Sequence, residues 1–155
     1  MATISFKGLD TLIAKLEKLN GFAHGQMKMA IYDGAAEVKK ALVSTMNTIP
    51  VQDEFVRKGH MRDGITSEQK QGIINGFGIA KMRSDGSGVN TVLGFKGKNA
   101  KGQSNKTIAR QVESGTSWLQ KYPFIRNAKN QSKSAAENAM SETFKKEIDR
   151  IMGGF

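Results

Sequence analysis

The most concentrated chemical feature of the sequence is a run of cations. Between residues 96 and 110 there are five basic side chains and no acidic one, in a chain whose formal net charge is +10. They are Lys96, Lys98, Lys101, Lys106 and Arg110. Clustered cations gain affinity for nucleic acid because they displace the counterions of its phosphates. The sequence therefore predicts a surface that meets a polyanion through contacts that do not read bases.

The same stretch comes close to a phosphate-binding loop. Gly97 and Gly102 have the four-residue gap of the glycines in a P-loop, with a predicted strand before them and a helix after them. Gln103, however, follows Gly102 in place of the lysine that contacts the β- and γ-phosphates. A flexible basic loop over about residues 96–106 is the favoured interpretation, since Gly, Lys, Asn and Ser offer little apolar surface to order it.

Residues able to catalyse a reaction or to hold a metal are scattered. The chain has no cysteine, and its two histidines, His24 and His60, are far apart. The carboxylates considered form two local pairs, Asp53 with Glu54 and Glu147 with Asp149. None of these groups has metal-ligand spacing or an evident apolar pocket. We expect no enzyme activity, no metal and no cofactor.

Aromatic and methionine side chains allow two interpretations each. Trp118 and Tyr122 could stack on bases beside the basic loop, but packing of the turn before Pro123, or of an interface pocket, is favoured. The eight methionines suggest either an adaptable binding groove or filling of the core, and their helical spacing favours the core. Those at or near core spacing are Met27, Met46, Met140 and Met152.

Helical patterns position these residues. Apolar spacing of three and four predicts one helix over residues 9–19, an interruption at "NGFAHG", and a second helix over residues 27–49 that ends before Pro50. The stretch "TIARQVES" predicts a short helix that Gly115 ends with a left-handed cap. A long final helix follows Pro123. Its apolar face is predicted to contain Ala128, Ser132, Ala135, Ala139, Phe144, Ile148 and Ile151.

The middle of the chain changes to a strand-like period. Residues 77–79 and 89–95 alternate, and "SDGSG" between them is typical of a hairpin turn. Ile65 and the N-terminal "TISF" are expected to add edge strands. The predicted fold is α+β in a single domain over residues 1–155, with a three- to five-stranded antiparallel sheet packed against helices and a long C-terminal helix.

Length and hydropathy limit the class of protein. A chain of 155 residues suits one domain. Its first residues lack the pattern of a secretory signal, and no apolar run approaches the roughly 18 residues of a membrane helix. We expect a soluble protein, made in the cytoplasm, that has no membrane contact. Residues 51–63, which are charged and unpatterned, are expected to form an exposed loop.

Five short motifs, taken in order, resemble one family. They are "GLDTLIAKLEKL", a long helix ending in "TIP", "GHMRDGI", "ARQVESGTS" and "YPFIRNA". Together they span nearly the whole chain and resemble the tail-completion or head–tail joining (neck) proteins of long-tailed bacteriophages, typified by the gene-product-ten-like tail component of lambdoid phages. Two positions depart from the family's pattern: Ser114 stands where a bulky residue is usual, and Asn127 where proline is common.

The resemblance implies a structural virion protein without enzyme activity. Such proteins form a ring, usually a hexamer, at the neck between the head connector or stopper and the tail tube, with a channel for DNA. The basic residues from Lys96 to Arg110 would then face the channel and contact phage DNA without specificity. The resemblance also implies a rigid corner that hands the short helix over to the last one, or forms an interface. Its residues are Glu113, Gly115, Thr116, Trp118, Tyr122, Pro123, Phe124 and Arg126.

Other classes remain as alternatives. A free architectural nucleic-acid-binding protein would explain the net charge and the basic loop, and would bind duplexes with strong salt dependence. A toxin–antitoxin component or other small enzyme would need catalytic groups that the sequence does not bring together. Within the neck family, the sequence does not separate a tail terminator from a stopper or another joining protein.

Overall fold

Two long helices dominate the fold. The structure is a computed structural model that describes residues 9–85 and 88–153, and the side chains of residues 25–83 and 89–153. The first helix, α1, spans Leu9–Asn47 with 39 residues, and the last, α4, spans Phe124–Gly153 with 30 residues. At about 1.5 Å per residue they are roughly 58 and 45 Å long. The long C-terminal helix predicted from the sequence is confirmed.

The helix interruption predicted at "NGFAHG" is wrong, because α1 continues through Gly21 and Gly25. A glycine inside a helix costs about 1 kcal/mol relative to alanine. Each residue added to an existing helix, however, also gains a backbone hydrogen bond. Two glycines therefore weaken this helix without ending it. Its C-terminal end agrees with the prediction, since Asn47 is the last helical residue and Ile49 lies outside the helix before Pro50.

The long helices pack antiparallel. The hydroxyl of Thr143 in α4 donates to the carboxylate of Asp33 in α1 at 2.6 Å, while the end of α1 meets the start of α4 in the core. Small residues allow close approach: a Cβ on Gly34 would lie only 2.7 Å from Cγ of Met140. A larger residue at that position would push the helices apart.

The buried face of α4 repeats every four residues. Its buried members are Phe124, Ala128, Ser132 and Ala136. Ala135, predicted on this face, is exposed, and so is Ile148. Two other predicted residues, Ser132 and Ala139, are buried and half-buried, as expected. Of the adjacent alanines, the prediction named Ala135, whereas Ala136 is the buried one. Ser132 is tolerated in the interior because its hydroxyl donates to the carbonyl oxygen of Ala128 at 2.7 Å.

The core lies where α1 ends and α4 begins. Half-buried Phe95 packs against two buried rings of the core, with centroids 5.2 Å from Phe77 and 6.1 Å from Phe124. Around them are buried Leu42, Met46, Ile49, Ile65, Ile73, Ile108, Ala109, Val112, Leu119 and Ala128. The core interpretation of the methionines holds for Met46 and for half-buried Met140, whereas Met27 and Met152 are exposed.

A helix that the sequence did not predict, α2, spans Ser67–Gly76. Thr66 is its N-cap, and Thr66 and Gln69 form a capping box in which each side chain bonds the other's backbone N–H. Ile65, predicted as an edge of the hairpin sheet, instead forms an isolated parallel bridge with Val51. The predicted strand is wrong here because α2 begins at Ser67, only two residues after Ile65.

Four short strands form the rest of the middle segment: β1 (Phe77–Ile79), β2 (Arg83–Asp85), β3 (Gly88–Asn90) and β4 (Leu93–Phe95). β1 pairs antiparallel with β4, and β2 with β3, so the predicted hairpin is confirmed. Each described sheet has two strands. The predicted three to five strands are not confirmed, and the "TISF" segment lies outside the described residues.

A short helix, α3, spans Asn105–Ser114, where the pattern of "TIARQVES" predicted one, and Ser104 is its N-cap. Its buried side chains, which include Ile108 and Val112, face the core. The described fold is therefore α+β, with four helices and small two-stranded antiparallel sheets. Within the described residues, none of the helices combines the length and the hydropathy that crossing a bilayer requires.

Candidate functional site

The five predicted cations lie on the segment that joins β4 to α3 and on α3 itself. Lys96 follows β4 directly, and its N–H donates to the carbonyl oxygen of Gly76 at 2.8 Å. Lys106 and Arg110 lie four residues apart on α3, on the side away from its buried residues. All five predicted cations, Lys96, Lys98, Lys101, Lys106 and Arg110, are exposed. Their contact with DNA stays a prediction.

Little of this charge is compensated. Lys101 Nζ lies 3.5 Å from the carboxylate of Glu68, in an exposed pair that contributes little to stability. Elsewhere in residues 25–83 and 89–153, no ion pair involves the other four cations. The first turn of α3 contains no acidic residue, so the positive end of its helix dipole adds to the local field. An anion would therefore meet an attractive potential here.

Asn99, which the sequence analysis missed, fills the interior of the basic loop. Its side-chain oxygen accepts hydrogen bonds from the N–H groups of Lys101 and Gln103, at 3.1 and 2.9 Å. Gly102 N–H donates to the Asn99 carbonyl oxygen at 2.9 Å, and Asn105 N–H to that of Gly97 at 3.1 Å. The amides that would bind a phosphate in a P-loop are thus already occupied, which argues against nucleotide binding.

These contacts also bear on the predicted flexibility. Gly97 and Gly102 have φ values of 75° and 76°, which allow the chain to turn around Asn99. The Asn99 side chain is 8% exposed, and Lys98 forms an isolated bridge with Ser104. This network describes a hydrogen-bonded loop, and the mobility expected from composition stays a prediction. The signal for it was Asn99 itself, since asparagine commonly bonds the backbone two residues on.

The corner predicted between α3 and α4 is built around Glu113. Its carboxylate accepts hydrogen bonds from the N–H groups of Ile125 at 2.7 Å and of Arg126 at 3.1 Å. Both amides belong to the first turn of α4, where N–H groups have no partner within the helix. The end of α3 thereby caps the start of α4 with a charged acceptor.

The chain between the two helices is held by its own turn. Gly115 ends α3 with φ 73° and ψ 166°. The φ is positive, but the ψ lies outside the left-handed helical region, so the predicted left-handed cap is wrong; the observed region is one that only glycine readily adopts. The hydroxyl of Thr116 accepts from Leu119 N–H at 3.0 Å and Trp118 N–H at 3.3 Å. The Trp118 side chain is 44% exposed and remains available to a partner.

The end of the corner is anchored to the core. Tyr122 shares a 2.7 Å hydrogen bond with the hydroxyl of Thr48, and its N–H donates to the Val112 carbonyl oxygen at 2.8 Å. Pro123 places Phe124, which is fully buried, at the first position of α4. Arg126 has an exposed side chain, and Glu113 holds its backbone. Tyr122 therefore packs the corner, as favoured over base stacking.

Two further motifs of the resemblance meet the corner. In "GHMRDGI", Arg62 N–H donates to the Trp118 carbonyl oxygen and Gln120 N–H donates to the Arg62 carbonyl oxygen, both at 2.8 Å. In "TIP", the Pro50 carbonyl oxygen accepts from Ile65 N–H at 3.1 Å. A Cβ on Gly64 would lie 2.3 Å from that same oxygen, so glycine is required there. Segments distant in sequence thus form one hydrogen-bonded unit.

The predicted exposed loop over residues 51–63 has a fixed base. The carboxylate of Asp53 accepts from the Ser67 hydroxyl at 2.5 Å and from the Ser67 N–H at 2.8 Å. These two hydrogen bonds hold the pKa of Asp53 below its usual value, with smaller contributions from Lys101 and Arg62. The side chain of Arg62 also donates to the carbonyl oxygens of Gln52 and Gly64.

The apex of that loop carries an exposed phenyl ring between a carboxylate, Glu54, and two cations. Phe55 is 92% exposed, and Arg57 and Lys58 follow it without an ion-pair partner in the described part of the chain. A phenyl ring so accessible to water in an anchored loop is a candidate contact for another macromolecule. The sequence analysis did not single out these residues.

Metal binding finds no support in the described residues, which contain no group of three His, Cys, Asp or Glu side chains placed to hold an ion. His60 is exposed in the same loop as Phe55, and the side chain of His24 lies outside the described set.

Comparisons of the chain with protein-family models, with curated proteins and with solved structures find no match.

Proposed function

We propose that the chain is a structural virion protein of a tailed bacteriophage, located in the tail or neck. Copies would form a closed ring, with six subunits as the expected number, that completes the tail and joins it to the head connector or stopper. The ring would leave a channel for DNA. The protein has no catalytic role in this proposal, and its partners are further copies, the connector or stopper and the tail tube.

The observation that carries the proposal is the meeting of the motifs on which the resemblance depends. "TIP", "GHMRDGI", "ARQVESGTS" and "YPFIRNA" are separated by up to about 70 residues, yet they meet in one network. Backbone hydrogen bonds join "TIP" to "GHMRDGI" and "ARQVESGTS" to "YPFIRNA", and Arg62 of "GHMRDGI" bonds Trp118 and Gln120, which lie between the last two motifs. The carboxylate of Glu113 adds two bonds to the start of α4. A shared family pattern is expected to mark such a unit, because the residues that fix a common corner must change together. Chance matches of short motifs would have no reason to cluster in space.

The basic loop supports a position beside DNA. Four exposed cations have no ion pair within the residues that the structure describes, two on the loop that Asn99 holds and two on α3, and they present charge at low conformational cost. Contacts to phosphate alone attract DNA of any sequence. A channel that passes a whole genome needs such contacts to be weak and nonspecific. A sheet of three or more strands would arise if residues 1–8, or a neighbouring copy, added a strand to the hairpin.

Electron microscopy of the purified protein, alone and mixed with tail tubes and with DNA-free heads, tests the ring. Rings, or density that caps one end of the tubes, are the expected result. Light scattering coupled to gel filtration gives the number of subunits. A protein that stays monomeric and ignores both tubes and heads at all concentrations would refute the proposal.

A second function is favoured by the same exposed cations: a free architectural protein that binds duplex DNA. The variant K96Q/K98Q/K106Q removes three loop charges, and K129Q/K133Q/K145Q removes three exposed charges of α4 as the matched control. If the loop binds phosphates, the first variant alone should reduce the salt dependence of binding, by about 0.9 in log–log slope for each lost contact. Tight duplex binding by a monomer without rings would favour this second function.

A further inference from the structure

The groove between the two long helices could receive a side chain from a second copy of the chain. Its volume is about 370 Å³, and its walls come from both α1 and α4. It is lined by Asp33, Ala36, Glu37, Ala139, Glu142 and Lys146, with Thr143 between them. Three carboxylates outnumber one ammonium among the lining residues, and Lys40 pairs with one of them, Glu37, at 3.0 Å, so the groove keeps a small negative charge. Two alanines give it an apolar floor. A cavity of this size, roughly twelve times the volume of one liquid water molecule, leaves room for a phenyl ring.

The Phe55 loop, residues 54–58, offers an apolar ring for the alanine floor of the groove and cations for its carboxylates. Phe55 is 92% exposed, an exposed carboxylate, Glu54, precedes it, and the two following charged residues, Arg57 and Lys58, are exposed cations. Insertion of the ring between Ala36 and Ala139 would remove its apolar surface from water. The neighbouring cations would then lie near carboxylates at the rim, of which Glu142 has no ion-pair partner within the described residues.

The loop does not fill the groove of its own chain, since Phe55 is 92% exposed. Asp33 and Glu37 precede the end of α1 by 14 and 10 residues, which places the groove about 15 to 21 Å back along the helix. Phe55 lies three residues beyond Gln52, whose N–H is bound to the carbonyl oxygen of Ile65 at 2.8 Å. The groove is therefore open to an occupant from another molecule.

We infer that the occupant is a second copy of this chain: the Phe55 loop of one copy docks in the Ala36–Ala139 groove of the next. The two surfaces differ, so the contact is heterologous, and repetition of it generates a ring or an open filament. This inference rests on the proposed ring and names its interface. It requires no other protein to form, since each copy carries one loop and one groove.

The absence of cysteine from the chain allows a clean crosslinking test. A mixture of the single variants K58C, which keeps the Phe55 ring, and A139C, treated with a short bismaleimide, should give a heterodimer, while the double variant K58C/A139C should give a ladder that ends at the subunit number of the ring. The control pair V92C/A139C, which places the first thiol on another exposed side chain, should not crosslink. Unchanged melting temperatures confirm that the variants are folded.

Each outcome decides a different statement. A ladder with closed rings supports both the contact and the ring, and a ladder from open chains supports the contact but refutes the ring. Rings without the K58C/A139C crosslink overturn the inferred contact and leave the ring standing. A monomer that gives no crosslink overturns the contact and counts against the ring as well.

Affinity measurements give a second test of the same contact. F55A should weaken assembly on the order of 30-fold, as truncation of a central aromatic contact does, and F55L should retain most of it. E142K should also weaken assembly, and R57E in the same chain should restore part of the loss. Additive effects of E142K and R57E would show that the two side chains do not meet.

Discussion

Replacement of Glu113 by alanine should measure what the corner contributes to stability. The carboxylate accepts two hydrogen bonds from the first turn of α4, at 2.7 Å from Ile125 N–H and 3.1 Å from Arg126 N–H. Loss of a helix cap costs about 1 kcal/mol, and loss of a negative charge at a helix N-terminus costs about 0.3 to 1 kcal/mol more. Because Glu113 is half-buried and serves two amides, we expect E113A to lose about 2 kcal/mol.

Urea denaturation followed by circular dichroism measures this loss. A chain of this length with a typical urea dependence should show a midpoint about 1 M lower, and a melting temperature about 4 to 8 °C lower. E113Q keeps one neutral acceptor and should lose about half as much. E137A, which removes an exposed glutamate of α4 without a hydrogen bond to its backbone, is the control and should change stability by less than about 0.5 kcal/mol. Equal stability of E113A and E137A would refute the capping role of Glu113.

Three further predictions address the loops. The pKa of Asp53 is lowered by hydrogen bonds to its ionised form, so its stabilisation should be present above pH 3.8 and lost as pH falls through the lower folded-state pKa; D53N should melt below the wild type at pH 7 and together with it at pH 2. N99A should accelerate amide exchange in the basic loop by about tenfold or more, and unchanged exchange would contradict the proposed ordering. G64A should cost about 3 kcal/mol, because its Cβ meets the Pro50 carbonyl oxygen, whereas G94A, where a Cβ has open space, should be nearly neutral in urea denaturation.

Sequence periodicity predicted the elements with many regular turns and failed where a single local signal had to be weighed. The last helix and α3 followed from apolar spacing, and the hairpin from the turn residues. The glycines at 21 and 25 were given too much weight, because a breaker acts only when the surrounding helix is weak. The capping box of Thr66 and Gln69 can be read in "TSEQ" but was not used, because the β-branched Ile65 just before it was assigned to a strand.

The candidate site was predictable in its charge and not in its geometry. Local composition was enough to predict that the cations at residues 96–110 lie on the surface, and all of them are exposed. The hydrogen bonds of Asn99 depend on a turn whose closure no period reveals. Likewise, Glu113 was included through the resemblance, but its role as a cap required the start of α4 to lie beside the end of α3. Phe55 carried no periodic signal at all.

The arrangement of α3 separates the chemistry of the loop from the stability of the fold. This helix begins at the basic loop, where Ser104 caps it, and ends at the corner at Gly115. Its buried residues face the core, while Lys106 and Arg110 point away from it. Neutralisation of the cations should therefore leave the free energy of unfolding within about 0.5 kcal/mol of the wild type. A defect in assembly or DNA retention with such variants would then arise from lost contacts to a partner, because the same ten-residue helix would still be held at both ends.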